Sequence, residues 1–140
     1  MKPVDMTVLH DPDNNQFGDC QRACIASLLE LMTKDVPHFL ELGDSDTFYT
    51  RLNEFLAEHN FIHLETMPID FSLAQFNSKA DTYHMIYGPT IRGTQHATIG
   101  LNGRVVHDPH PSRDGLLANR KDEWTYAFLV PTFVGTNQLT

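Results

Sequence analysis

The chain has 140 residues, 41% apolar and 20% charged, an ordinary balance for a globular protein with enough apolar side chains for a core without staples. A formal net charge of -8, with only ten lysines and arginines, argues against a general DNA or RNA binder, because phosphate contacts dominate such affinity. No stretch is apolar for long enough to span a bilayer, and Met1–Met6 lacks the apolar run of a signal peptide.

Residues 1–17 are polar and turn-rich, and Asp11-Pro12-Asp13-Asn14-Asn15 forbids regular structure. A helix is predicted from Asp19 to Met32, with Asp19 as N-cap. Its apolar positions, among them Ala23, Cys24, Ile25, Leu28, Leu29 and Met32, cover most of the circumference, the mark of a buried helix. Val36-Pro37-His38-Phe39 breaks the pattern. A second helix, Asp46 to His59, carries Phe48, Leu52, Phe55 and Leu56 as one apolar stripe. Short strands follow: Phe61–Glu65, Tyr83–Tyr87, Gln95–Leu101, Arg104–Asp108 and Thr125–Val130. Helices first and strands afterwards predict an α+β fold, one domain over residues 1–140, with helices packed on an antiparallel sheet.

Cys20 falls where the Gly18-Asp19 turn changes into the first helix. There, free backbone N–H groups and the helix dipole favour a thiolate, the reactive form of cysteine. His96 on the third predicted strand and Asp108 after the fourth supply a base and an acid to orient it, so Cys20, His96 and Asp108 form a candidate catalytic triad. The Cys20 backbone N–H and an upstream amide, from Asn14, Asn15 or Gln16, would stabilise an oxyanion. Arg22, His110 and Trp124 are candidate substrate contacts, although a salt-bridged Arg22 and a packed Trp124 are the plainer assignments. Cys24, inside the apolar run, reads as a small hydrophobe, and His107 as a hydrogen-bonded structural residue.

The hairpin at Asn102-Gly103 bears on the His96/Asp108 pairing. A two-residue turn pairs Leu101 with Arg104 and sends Asp108 to the face opposite His96. A three-residue turn, with Gly103 left-handed in a bulge, pairs Gly100 with Arg104 and sets His96 opposite Asp108. It also groups Ala97, Ile99 and Val105 on a core side. The triad therefore predicts the bulged turn.

These segments resemble papain-like cysteine peptidases, in particular the double-glycine leader peptidases. The likeness rests on Asp19-Cys20 opening an Ala/Leu-rich helix, His96-Ala97-Thr98-Ile99 on a strand, and Val106-His107-Asp108-Pro109 ending the next. It implies Cys20 as nucleophile, His96 as base and Asp108 as orienting acid, on a papain-like α+β fold with no cofactor and a peptide or protein substrate. From about Asp11 to Leu116 the chain also resembles small bacterial and phage proteins with a Gly-Asp-Cys helix start and a His-Asp-Pro-His-Pro ending. There is one departure. The leader peptidases carry their oxyanion glutamine six positions before the nucleophile, where this chain has Asn14, while Gln16 stands four before. Either Asn14 donates on a shorter arm or a different loop path brings Gln16 into place.

The leading expectation is a cysteine-dependent peptidase or amidase, working through an acyl-thioester on an amide or isopeptide bond. Deamidation, acyl transfer and cell-wall amidase chemistry share that first half-reaction, although cell-wall enzymes often open their helix with Asp-Cys-Ser rather than Asp-Cys-Gln. Two alternatives stand beside it. One is a non-enzymatic partner-binding protein on the same fold. The other is a zinc protein drawing on Cys20, Cys24, His96, His107 and His110. Two cysteines on one helix make no disulfide framework, and a cytoplasmic location with neither nucleic-acid nor membrane partners is expected.

Overall fold

The structure is a computed structural model that describes residues 1–42, 45–67 and 80–133. Helix α1 spans Cys20–Leu29 and α2 spans Ser45–Glu58, followed by strands β1 (Phe61–Thr66), β2 (Tyr83–Pro89), β3 (Gln95–Leu101), β4 (Arg104–His107) and β5 (Thr125–Pro131). The five strands form one antiparallel sheet in the order β1-β5-β2-β3-β4, so the class is α+β as expected. Among the described residues, no helix is long and apolar enough to cross a membrane.

Helix α1 buries Ala23 to Ser27 completely and packs on β3 and β2. It stops three residues short of the predicted end. Glu30 takes the left-handed conformation (φ 55°), and both its N–H and that of Leu31 donate to the Ala26 carbonyl. This is a Schellman-type end in which a glutamate occupies the position glycine favours, so no glycine marks the stop. Met32 consequently lies outside the helix and is 62% exposed. The predicted cap is also corrected. Asp19 stands at the N-cap position, but its carboxylate does not cap the helix; it accepts instead from the Thr7 and Val8 backbone N–H groups and from the Thr7 hydroxyl. The helix entry is thereby tied to the N-terminal segment. That segment runs on along α1, with the Lys2 N–H donating to the Ser27 carbonyl and the Val4 N–H to the Ser27 hydroxyl.

In α2, Leu52, Phe55 and Leu56 turn into the core and Phe48 packs at its margin. They meet Phe39, Val36 and the α1 residues over one sheet face, made by Met85, Ala97, Ile99 and Ala127. Each large apolar side chain buried there contributes roughly 1.5–3 kcal/mol. The other face carries Ile86, Tyr126 and Trp124, against which Val105 and Leu116 pack.

The β3–β4 hairpin departs from expectation in an informative way. Its turn is the tight two-residue form, with Asn102 at φ 51° and Gly103 at φ 85°, and it pairs Leu101 with Arg104 and Gly100 with Val105. Pairing with Gly100 puts Val105 on the Ile86 face, not with Ala97 and Ile99 as predicted. The bulge exists, but farther along: the register shifts between Gly100 and Ile99, and Ile99 pairs with His107, leaving Val106 as the extra residue. One inserted residue exchanges the faces of everything after it. Alternation then returns Asp108 to the side of the ladder that His96 occupies.

Candidate functional site

Three elements converge at one end of α1. Cys20 is the first residue of that helix and is partly buried behind the Asp19 anchor. His96 is the second residue of β3, with its ring 4% exposed. Asp108 follows the bulged β4 and is equally buried. His96 Nε2 donates to Asp108 Oδ1 at 2.6 Å. The carboxylate is otherwise satisfied by the backbone, since the His110 N–H donates to Oδ1 (2.9 Å) and the Gly115 N–H to Oδ2 (2.7 Å). Arg113 then clamps the loop by donating to the Asp108 carbonyl and pairing with Asp5 at 2.6 and 2.8 Å.

The electrostatics follow from these contacts. Burial pulls the His96 imidazole down. The hydrogen bonds and charges of Asp108 and Cys20 together outweigh this, and His96 is raised to about 9. Burial pushes Asp108 up, but the His96 bond and the two backbone N–H donors overcome it and hold the carboxyl well below the usual carboxylate range. The site therefore stabilises an imidazolium between a carboxylate and a sulfur. With Nε2 turned to Asp108, Nδ1 is the nitrogen left for Cys20. Cys24, one turn along the helix, is fully buried, and burial together with the nearby negative charges pushes its thiol well up.

Two clefts flank this centre and share Cys20, Leu40, Gln95 and His96. One, of about 350 Å³, extends past Phe48, Tyr49, Tyr87 and Glu65. The other, of about 340 Å³, extends past His10, Arg92 and His110. His110 stands edge-on to His96 with ring centroids 6.0 Å apart, which places it at the rim.

Not every candidate residue reaches the clefts. The Gln16 amide donates to the Leu9 carbonyl (2.6 Å) and the Asn14 amide to Asp11 (2.7 Å), and both side chains are exposed in a turn outside either cleft. That turn closes on itself through the Asp11–Gln16 bridge, and its own Asp11 and the neighbouring Leu9 carbonyl take up the two amides. Arg22 donates to the Thr33 and Val36 carbonyls and lies 3.7 Å from Asp19, stapling the connection after α1. Trp124 is 6% exposed and packs with Ile86 and Tyr126 on the far sheet face. Conversely, Gln95, Tyr87 and Glu65 line the clefts without having been singled out in the sequence. Only Gln95, adjacent to His96 in the chain, carried a local signal. Tyr87 and Glu65 arrive through strand pairing.

Among the described residues, no group of three or more His, Cys, Asp and Glu side chains is placed to hold a metal ion. Comparison with protein-family models, curated proteins and solved structures finds no match.

Proposed function

We propose that this chain is a cysteine-dependent hydrolase of papain-like architecture that cleaves an amide or isopeptide bond, with Cys20, His96 and Asp108 as its triad. The observation that carries the reading is the buried His96, hydrogen-bonded to Asp108 at 2.6 Å and lining the same two clefts as Cys20 at the start of α1. In this scheme the thiol proton rests on His96 as the imidazolium before attack, and the sulfur attacks the carbonyl carbon. A C–S bond forms while the carbonyl π pair moves to oxygen. The Cys20 backbone N–H, in the positive field of the helix start, is the donor for that oxyanion. Collapse breaks the C–N bond, and the imidazolium gives its proton to the leaving amine. Water, deprotonated by His96, then cleaves the thioester and restores the thiol. Asp108 holds the ring orientation and the imidazolium throughout.

The test is iodoacetamide labelling at neutral pH, read residue by residue by mass spectrometry. Cys20 is expected to react at least about tenfold faster than Cys24, because reactivity follows exposure and thiolate fraction. His96→Ala is expected to slow the labelling of Cys20 itself by at least about tenfold, with Cys24 as the internal reference. Equal and slow labelling of both thiols rejects the hydrolase and leaves a partner-binding protein as the better reading.

A further inference from the structure

The cleft that runs from Cys20 past Glu65 has a distinct chemical character. Its walls are apolar and aromatic: Leu40, Phe48 and Tyr49 stand on one side and Tyr87 on the other, with Phe48 and Tyr49 edge-to-face at 5.0 Å. Among the described lining residues Glu65, on β1, is the single carboxylate, and none is a lysine or an arginine. The neighbours of Glu65 leave its charge in place. His63 lies 3.7 Å away, but burial pushes its imidazole below the ordinary value despite the carboxylate, which disfavours its charged form. Tyr49 donates only a long hydrogen bond, 3.4 Å, to Glu65 Oε1. The Tyr87 hydroxyl is held elsewhere, by Gln21 and His63 at 3.1 Å each. His96, which also lines the cleft, has its charge met by Asp108 at 2.6 Å. Among the described residues the cleft is thus a slot that combines apolar and aromatic side chains with one carboxylate, its polar positions Gln21, Gln95 and Thr125 being uncharged. Such a slot suits a long aliphatic stem ending in a cation, since the stem lies along apolar surface and the charge meets ring faces and carboxylate.

The opposite cleft has the reverse polarity. Arg92 lines it, and its nearest carboxylate, Asp114, lies 3.9 Å away. A cationic side chain therefore meets a carboxylate on one side of Cys20 and an ion-paired arginine on the other. The overall charge of -8 draws cationic peptides toward the molecule as a whole.

We propose that the Glu65 cleft is the specificity pocket of the hydrolase and selects a lysine or arginine side chain of a peptide substrate. This rests on the hydrolase reading above. The probes are three peptidyl chloromethyl ketones that differ only in the residue next to the ketone: lysine, its uncharged analogue norleucine, or glutamate. Each forms a C–S bond to Cys20 and releases chloride. Every rate is divided by the iodoacetamide rate of the same protein, which removes differences in thiol reactivity. The lysine probe is expected to outpace the norleucine probe by about five- to tenfold, a modest factor because the carboxylate is partly solvated, and the preference is expected to shrink as salt is raised. The glutamate probe is slowest. Glu65→Gln brings the lysine-to-norleucine ratio close to one, and Glu65→Lys reverses the order of the lysine and glutamate probes. Equal rates for lysine and norleucine in the wild type, or a lysine preference that survives Glu65→Gln, overturn the pocket while fast iodoacetamide labelling of Cys20 leaves the hydrolase standing. Labelling of Cys20 no faster than Cys24 by any reagent overturns both.

Discussion

Replacing Asp108 with asparagine removes one charge from the buried pair and leaves its shape almost unchanged. Holding an imidazolium from the ordinary 6.5 up to about 9 corresponds to roughly 3 kcal/mol in its favour, supplied by Asp108 first and Cys20 second against the cost of burial. Without the carboxylate, burial is opposed by Cys20 alone. The amide also turns an N–H toward a donor, either His96 Nε2–H or the Gly115 N–H, both of which Asp108 accepts. His96 in Asp108→Asn is therefore expected to titrate at least about one pH unit below the wild type, and in the double variant with Cys20→Ala below 6.5. The assay is NMR titration of ring-labelled histidine in the wild type, the two single variants and the double variant.

Stability follows with a defined sign. A His96 value raised on folding contributes stability that is complete below pH 6.5 and lost as pH rises through about 9. An Asp108 value lowered on folding contributes stability that is present above the ordinary 3.8 and lost as pH falls through its depressed folded value. Both statements describe one ion pair and are not additive. Asp108→Asn flattens both limbs of a stability–pH curve. A wild-type His96 that titrates near 6.5, unmoved by Asp108→Asn, refutes the electrostatic reasoning.

Two further outcomes test the scaffold. An added Cβ at Gly100 would stand 2.7 Å from His84 Cε1 and 2.8 Å from Ile86 Cδ1, both in fully buried side chains, so Gly100→Ala is expected to cost about 1–3 kcal/mol in denaturant unfolding, by overpacking. His84 accepts from the Gly103 N–H at Nε2 (3.0 Å) and bonds the Met85 carbonyl through Nδ1 (3.1 Å), which defines a neutral ring, and burial lowers its value from 6.5. A base lowered on folding contributes stability above pH 6.5 that is lost as pH falls, so His84→Gln is expected to reduce the acid sensitivity of the melting temperature as pH falls below 6.5.

Much of the fold was legible because it depends on periodicity. The α2 stripe of Leu52, Phe55 and Leu56 lies in the core as its spacing implies, and the five strands fall within a residue or two of their predicted bounds. The misses share a cause. Glu30 ends α1 with ordinary helix-forming residues on both sides, because the Ala26 carbonyl and the returning chain decide the stop. Asp19 has the right type and position for a cap, yet Thr7 and Val8 compete for its carboxylate and win. Gln16 and Asn14 carry the amides an oxyanion site needs, but the local turn consumes them.

By itself the sequence determined residue chemistry and local period: a thiol at the start of a helix, an imidazole on a strand, a carboxylate beyond the next, and a turn at Asn102-Gly103. Only the tertiary structure decided how these meet. The tight turn sets a register that would separate His96 from Asp108, and the residue inserted at Val106 reunites them. A bulge depends on how a strand fits its neighbours and the loop beyond it, here Asp108 seated on the His110 and Gly115 N–H groups. Those partners are set by packing across the molecule, and no local pattern around Val106 encodes them.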